Sequence, residues 1–102
     1  MLIGAGEAGR TLIQEIQNSR YLDQKICCVI DDNRRKIGRY ILGIRVVGDR
    51  NAIKRSVEHY GIEQIIIAIP SAGSRKIRPI LEICKDTGCE LKILPGVYQL
   101  VN

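Results

Sequence analysis

The sequence contains no tryptophan and no phenylalanine, and its four tyrosines make up its whole aromatic content. A core built from this composition must be aliphatic, and 45% of the residues are hydrophobic. The 102-residue length fits a single domain. The isoleucine- and valine-rich runs are typical of strands that are buried on both faces of a parallel sheet.

Long hydrophobic runs are also missing. The longest, residues 65–70, has the length of a strand, and nothing resembles a signal peptide or a transmembrane span. Only three residues precede Gly4, whereas a strand usually has about five. We therefore expect residues 1–102 to be one domain excised from a longer protein, with more chain upstream of Met1.

Histidine and cysteine are too sparse to suggest a metal site. His59 is the only histidine, and Cys27, Cys28, Cys84 and Cys89 form no C-x-x-C pair, so we predict no metal. Cys27 and Cys28 lie in an expected buried strand, where thiols behave as small hydrophobes. Cysteines without a framework spacing are typical of the reducing cytoplasm.

The chain carries a net charge of +5 and a pI near 9.2, which would suit nucleic acid. No basic run is longer than residues 34–36, however, and the tyrosines are scattered. A small phosphate-bearing ligand explains the same charge, so we predict no nucleic-acid partner.

A glycine-rich turn follows the first apolar residues. Residues 4–9 read G-A-G-E-A-G, the G-x-G-x-x-G pattern between a short strand and an amphipathic helix. Gly4 permits the tight turn, Gly6 lets a phosphate approach the backbone, and Gly9 lets the helix lie close to its strand. The helix N-terminus favours an anion, although Glu7 would repel a pyrophosphate if it pointed into the loop.

Strand and helix patterns alternate along the rest of the chain. We predict helices near 8–18 and 51–60 and a third that Ser74 caps and Gly88 ends, with later strands at 25–30, 45–47, 64–69 and 90–94. Right-handed crossovers then give an α/β fold, a three-layer α/β/α domain with a five-stranded parallel sheet in the order 3-2-1-4-5. Ligands of such sheets bind beyond the carboxyl ends of the strands.

Two further loops should meet the glycine turn there. Asp31 lies 22 residues beyond Gly9, where an acid commonly bonds the adenosine ribose, although Asp31 and Asp32 also suit a simple turn. The cations at 34–36 either receive an extra phosphate, as in NADP or coenzyme A, or form a solvated face. In the third loop Ser71, Ser74 and Arg75 are the candidates for phosphate or sugar contact, although Ser74 is better suited to helix capping.

No catalytic pair stands out. Tyr21 and Lys25 have the Y-x-x-x-K spacing of short-chain dehydrogenases, but they fall at the edge of the sheet opposite the ligand loops. His59, near the end of a helix, suits the C-terminal dipole better than general-base work. We predict a domain that binds a ligand and contains no catalytic residue.

Several segments together resemble a known family. G-A-G-E-A-G, V-I-D-D-N-R-R-K-I-G, I-L-G-I-R-V-V-G, I-I-I-A-I-P-S-A and L-K-I-L-P-G-V-Y-Q-L are similar to the first, Rossmann-like (CoA-binding-type) domain of bacterial polysaccharide-biosynthesis proteins. These are the membrane-bound, CapD-like nucleotide-sugar epimerase/4,6-dehydratase enzymes of capsule and O-antigen synthesis, including UDP-sugar 4-dehydrogenases. The resemblance covers essentially the whole chain.

The resemblance implies a parent anchored in the bacterial inner membrane, with this domain in the cytoplasm and a following NAD-binding domain that acts on a UDP-N-acetylhexosamine. It implies a small-molecule nucleotide at this domain, namely NAD, NADP, coenzyme A or a UDP-sugar, and it leaves room for a homo-oligomer. The binding residues expected from the motifs are Gly4, Ala5, Gly6, Glu7, Ala8, Gly9, Asp31, Asp32, Pro70 and Ser71.

Two other functions fit the same residues. The N-terminal UDP-sugar-binding domain of a sugar-nucleotide acetyltransferase shares the glycine turn and the double acid, and hexapeptide repeats downstream of Asn102 would identify it. A regulatory module that senses NAD(H) or coenzyme A, with no enzyme attached, is the other alternative.

Overall fold

The computed structural model describes residues 1–19, 23–69 and 73–94. The elements in chain order are β1 (Leu2–Ile3), α1 (Glu7–Asn18), β2 (Val29–Ile30), β3 (Tyr40–Ile41), β4 (Ile44–Gly48), α2 (Ile53–Tyr60), β5 (Gln64–Ile67), α3 (Ser74–Lys85) and β6 (Glu90–Ile93). A short 3₁₀ turn, Arg50–Ala52, leads into α2.

The strands form one sheet in the order β3-β4-β2-β1-β5-β6. β1 lies in the middle and pairs in parallel with β2 and β5, so that Ile3 faces Ile30 on one side and Ile67 on the other. The predicted α/β fold and its 3-2-1-4-5 order are confirmed for the five parallel strands. A sixth strand, β3, was not predicted; it forms an antiparallel hairpin with β4 at the edge of the sheet.

Two aliphatic clusters cover the two faces of the sheet, as the composition predicts. One surrounds Ile13 of α1 and includes Leu2, Val29 and Val46. The other lies against α2 and α3 and is larger. Its fully or nearly fully buried members are Met1, Ile3, Cys28, Ile30, Ala52, Ile53, Ile65, Ile67, Ile80 and Cys84. Successive residues of β1, Leu2 and Ile3, therefore serve opposite faces, as the alternation of a strand requires.

The predicted helix boundaries agree with the structure, with three differences around α3. Gly73, not Ser74, is the N-cap residue, and Ser74 is the first residue of the helix. Pro79 lies in the second turn of α3, later than the first-turn position expected for proline. It cannot donate the helical hydrogen bond to the Arg75 carbonyl. At its other end, α3 stops at Lys85 with Asp86 as its C-cap, earlier than the predicted end at Gly88. At α2, the Asp49 side chain accepts a hydrogen bond from the Asn51 amide, and the helix ends at Gly61 in the left-handed conformation.

The two adjacent cysteines differ in environment. The prediction that both lie in a buried strand is wrong: β2 begins only at Val29, so neither cysteine lies in the strand, and Cys27 is exposed whereas Cys28 is buried. Cys28 and Cys84 are fully buried, and loss of hydration raises the pKa of both thiols to about 11. Those two thiols are therefore neutral components of the core at physiological pH.

The helices in the described parts of the chain are short. None is long and apolar enough to cross a membrane.

Candidate functional site

The glycine loop between β1 and α1 is crowded on the side that faces the protein. Gly4 has a φ of +115°, and a side chain there would collide with the carbonyl oxygen of Ala68 at the end of β5. A side chain at Gly9 would collide with the carbonyl oxygen of Gly4. The turn, and the close approach of α1 to the loop, therefore both require residues without a Cβ.

The opposite side of the loop is open. Gly6 is the N-cap residue of α1, and a Cβ built there would meet no atom of the described residues within 4 Å. Its φ of −84° and ψ of −163° suit any residue. The first four N–H groups of a helix have no intrahelical partner, and in the described part of the chain no side-chain hydrogen bond caps this helix. The exposed Glu7 is the acidic residue of this first turn.

Asp31 fastens this loop to the end of β2. Its Oδ2 accepts a hydrogen bond of 2.7 Å from the Ala5 amide, and its Oδ1 accepts one of 2.8 Å from the Asn33 amide. The Lys36 ammonium lies 3.4 Å from the Ala5 carbonyl oxygen. Both peptide groups of Ala5 are thus held by the segment that follows β2. A carboxylate has about four lone-pair positions, so Asp31 keeps some for a ligand.

Asp32 makes a different set of contacts. Its Oδ2 accepts from Nε (2.9 Å) and Nη2 (2.7 Å) of Arg50, and its Oδ1 accepts from the Arg50 amide at 2.9 Å. Partial burial opposes ionisation of Asp32, but the side-chain bond, the amide bond and the positive charge of Arg50 outweigh it and lower the pKa of this carboxyl. Asp32 is therefore an ionised partner of Arg50.

A cavity of about 140 Å³ opens beside these groups, at the carboxyl ends of β1, β2 and β5. Its apolar walls belong to isoleucines of the strand ends and of α3. Its polar lining consists of two carboxylates, Arg50 and Lys76. Among the described residues, those that line it are Ile3, Gly4, Ile30, Asp31, Asp32, Arg50, Ile69, Lys76 and Ile80. An apolar pocket with a few polar groups at its mouth is the usual form of a ligand site.

The structure brings together the predicted residues of two loops, Gly4–Gly9 and Asp31–Asp32. Pro70 and Ser71 lie outside the described residues, as does Tyr21 of the Y-x-x-x-K pair. Arg34 and Arg35 are exposed. His59 lies in the last turn of α2, where its ring contacts that of Tyr60 edge-on, with 4.7 Å between ring centroids.

Sequence reasoning missed the isoleucines of the cavity and two of its charged residues, Arg50 and Lys76. Arg50 comes two residues after the last residue of β4, and the rule that ligands bind at the carboxyl ends of strands could have identified it. Lys76 lies in the first turn of α3, where the helix dipole disfavours a cation, and that mismatch was the available signal.

Comparison with known proteins identifies the family. Residues 1–95 match the family described as "CoA-binding domain". The chain belongs to this CoA-binding domain family. The match extends from the glycine loop to the end of β6, so it includes every element that lines the cavity.

Relatives of this CoA-binding-family domain belong to polysaccharide biosynthesis. It is 32% identical over 101 residues to the "Probable polysaccharide biosynthesis protein EpsC" of Bacillus subtilis, covering 99% of this chain and 17% of that protein. It is 29% identical over 103 residues to the capsular polysaccharide biosynthesis protein CapD of Staphylococcus aureus, covering 100% of this chain and again 17% of the relative. The resemblance predicted from the sequence is confirmed, and the chain spans about a sixth of each relative's length.

A solved structure shares the fold. The UDP-D-quinovosamine 4-dehydrogenase structure from Vibrio fischeri superimposes with a TM-score of 0.88 at 26% identity, over 99% of this chain and 80% of that one. The Rossmann-like arrangement predicted for the CoA-binding-family domain is confirmed by this match.

Proposed function

We propose that this domain binds a nucleotide whose phosphates rest on the open side of the glycine loop, and that NAD is its ligand. The observation that carries the proposal is the start of α1, where the N-cap residue Gly6 has no side-chain cap and a Cβ at Gly6 would meet no described atom within 4 Å. A phosphate there would meet amide donors and the positive end of the helix dipole. The net charge of +5 favours the same ligand class.

The rest of an adenosine nucleotide fits the neighbouring groups. Each carboxylate oxygen of Asp31 accepts one hydrogen bond from a backbone amide. The remaining lone pairs of Asp31 could accept hydrogen bonds from a ribose diol. The cavity beside it has isoleucine walls suited to a nucleobase. The binding residues that we propose are the ten predicted from the sequence, Gly4, Ala5, Gly6, Glu7, Ala8, Gly9, Asp31, Asp32, Pro70 and Ser71.

Coenzyme A is the second candidate, because the matching family is described as a CoA-binding domain. Coenzyme A also carries an adenosine and a pyrophosphate, so the same loop and cavity would serve it. Its additional phosphate would need a cation, and the exposed Arg34 and Arg35 lie just beyond Asp31 and Asp32.

For the longer protein we propose a nucleotide-sugar 4-dehydrogenase or 4,6-dehydratase that acts on UDP-N-acetylhexosamines in capsule or O-antigen biosynthesis. The names of the relatives and of the solved structure support this assignment. In that protein this domain is a cytoplasmic, non-catalytic, nucleotide-binding unit, and the remaining segments supply the membrane anchor and the chemistry.

A thermal-shift panel tests the proposed site. The chain is heated alone and with NAD, NADP, coenzyme A or UDP-GlcNAc, and a ligand that binds only the folded state must raise the melting temperature. We expect NAD to raise it by several degrees and Gly6→Val to abolish the rise, because the valine side chain fills the space where the phosphate would lie.

Gly6→Val should itself remain folded, since the backbone at Gly6 tolerates a side chain. Gly73→Val is the matched control for stability: Gly73 is likewise the N-cap of its helix, with extended backbone and open space around its Cβ position. Failure of all four ligands to stabilise the chain, or stabilisation that survives Gly6→Val, would contradict the proposed site.

A further inference from the structure

Arg50 is the best-fixed cation in the cavity. Two of its guanidinium nitrogens and its backbone amide donate hydrogen bonds to Asp32. These bonds join the segment after β2 to the turn after β4. Lys76, the other cation of the lining, has no ion pair in the described part of the chain. An arginine held through several bonds loses little freedom when a ligand arrives, so its position is suited to recognition.

The hydrogen bonds of Arg50 do not use its flat faces. Hydrogen bonds of a guanidinium lie in its plane, and both side-chain bonds to Asp32 use that plane. The side chain is 35% exposed and lines the cavity together with isoleucines. A planar cation beside an apolar slot offers a stacking surface to an aromatic ring.

We propose that Arg50 is a specificity-determining residue, which stacks on the nucleobase and selects purine over pyrimidine nucleotides, and that Asp32 is its positioning residue. This inference rests on the proposed function, because it requires a nucleotide on the glycine loop. A purine has two fused rings and gains more contact with a guanidinium than a pyrimidine does. The ligand class would then be adenine nucleotides and not uridine nucleotides, even though the proposed parent acts on a UDP-sugar.

Asp32 has a second effect on binding. Without Arg50 it would add an unpaired carboxylate beside Asp31, close to the phosphates of the ligand. The ion pair, 2.7 Å between Arg50 Nη2 and Asp32 Oδ2, neutralises that charge. Removal of Arg50 therefore weakens binding both through lost stacking and through new repulsion. Removal of both Arg50 and Asp32 eliminates the repulsion, so that only the loss of stacking remains.

ADP and UDP are the probes, since they share the ribose and the diphosphate and differ only in the base. Dissociation constants are measured by calorimetry on the 102-residue chain and on its Arg50→Ala, Arg50→Lys, Asp32→Ala and Asp32→Ala/Arg50→Ala variants. We expect ADP to bind more tightly than UDP. Arg50→Ala should weaken ADP roughly threefold to thirtyfold, the range of a cation–π contact, and UDP by clearly less.

The conservative variants separate stacking from charge. The preference for ADP is measured as the dissociation constant of UDP divided by that of ADP. Arg50→Lys keeps the charge but loses the planar guanidinium, so this preference should be as low as in Arg50→Ala. Asp32→Ala should reduce the preference for ADP by a smaller factor than Arg50→Ala does, because the guanidinium is still present but has lost the carboxylate that positions it. Lys76→Ala is the matched control: it removes a cation from the same cavity and should change both constants alike.

The inference is overturned if UDP binds as tightly as ADP, or if Arg50→Ala weakens the binding of ADP and UDP equally. It is also overturned if Arg50→Lys keeps the full preference of the wild type for ADP. In those cases the proposed function still stands, provided that Gly6→Val abolishes binding of both nucleotides. If neither nucleotide binds, the proposed function fails and this inference fails with it. The melting temperature of each free variant establishes that a lost affinity is not a lost fold.

Discussion

The inner and outer sides of the glycine loop are built in opposite ways. On the inner side Gly4 and Gly9 touch backbone atoms so closely that no side chain fits, and Asp31 binds the Ala5 amide between them. On the outer side Gly6 faces open space with an ordinary extended backbone. The inner glycines are thus explained by packing, whereas nothing in the described residues requires glycine at position 6.

This difference shows which glycine carries information about function. A residue that the fold requires says nothing about a ligand. Gly6 is a poor helix former at a position where serine or aspartate would cap the helix better, and it leaves the first amides of α1 accessible. That local loss of stability is expected where a site needs room for a ligand.

The largest predicted effect is a loss of stability, caused by a substitution on the inner side of the glycine loop. Gly9→Ala should lower the free energy of unfolding by about 3 kcal/mol, the upper part of the range for overpacking, because the new Cβ collides with a backbone carbonyl that cannot rotate away. Urea titration measures this change.

Gly6→Ala is the control for that substitution, with the same change three residues away. Its effect should stay within about 0.5 kcal/mol, because a weaker N-cap is offset by the lower entropy of the unfolded chain. Equal effects at Gly9 and Gly6 would show that close approach of α1 to the loop is not what requires Gly9.

The next effect concerns the bonds that hold the loop. Asp31→Asn should cost about 1–2 kcal/mol of unfolding free energy, since an amide has one acceptor oxygen for the two N–H groups that the carboxylate now bonds. The NH₂ group of the new side-chain amide would face a backbone N–H group, which cannot accept a hydrogen bond from it. Urea titration at neutral pH measures the loss.

Asp32→Asn is the matched comparison, because the two aspartates are adjacent and Asp32 is exposed. Its ion pair with Arg50 should be worth at most about 1 kcal/mol. A loss at position 32 that equals or exceeds the loss at position 31 would contradict the account in which Asp31 fastens the glycine loop.

Much of this arrangement was predictable because it depends on periodic or positional signals. Alternating strand and helix patterns gave the order of the five parallel strands, and Gly61 gave the end of α2. The spacing from Gly9 to Asp31 correctly brought two loops together. In each case the signal is local in sequence and the consequence follows from chain geometry.

The remaining features depend on contacts that have no sequence pattern. β3 is two residues long, too short for a periodic signal, and it forms only because a turn at Leu42–Gly43 returns the chain onto β4. The start of β2 at Val29, after both cysteines, likewise has no sequence signal. The bond from Asp31 to Ala5 and the pair of Asp32 with Arg50 are set by side-chain orientation, which two adjacent acids do not reveal.

The smallest predicted effect tests the charge of Asp32 through its dependence on pH. The folded-state pKa of Asp32 is lowered from 3.8, so the folded protein binds fewer protons here than the unfolded chain does. Its contribution, at most about 1 kcal/mol for a pair this exposed, is complete above pH 3.8 and is lost as the pH falls through the lowered value. The difference in unfolding free energy between the wild type and Asp32→Asn should therefore shrink below pH 3.8. It should also shrink in concentrated salt at neutral pH, because the charges are screened. A difference that stays constant across both titrations would mean that Asp32 acts through shape alone, and its charge would then have no part in holding Arg50 beside the cavity.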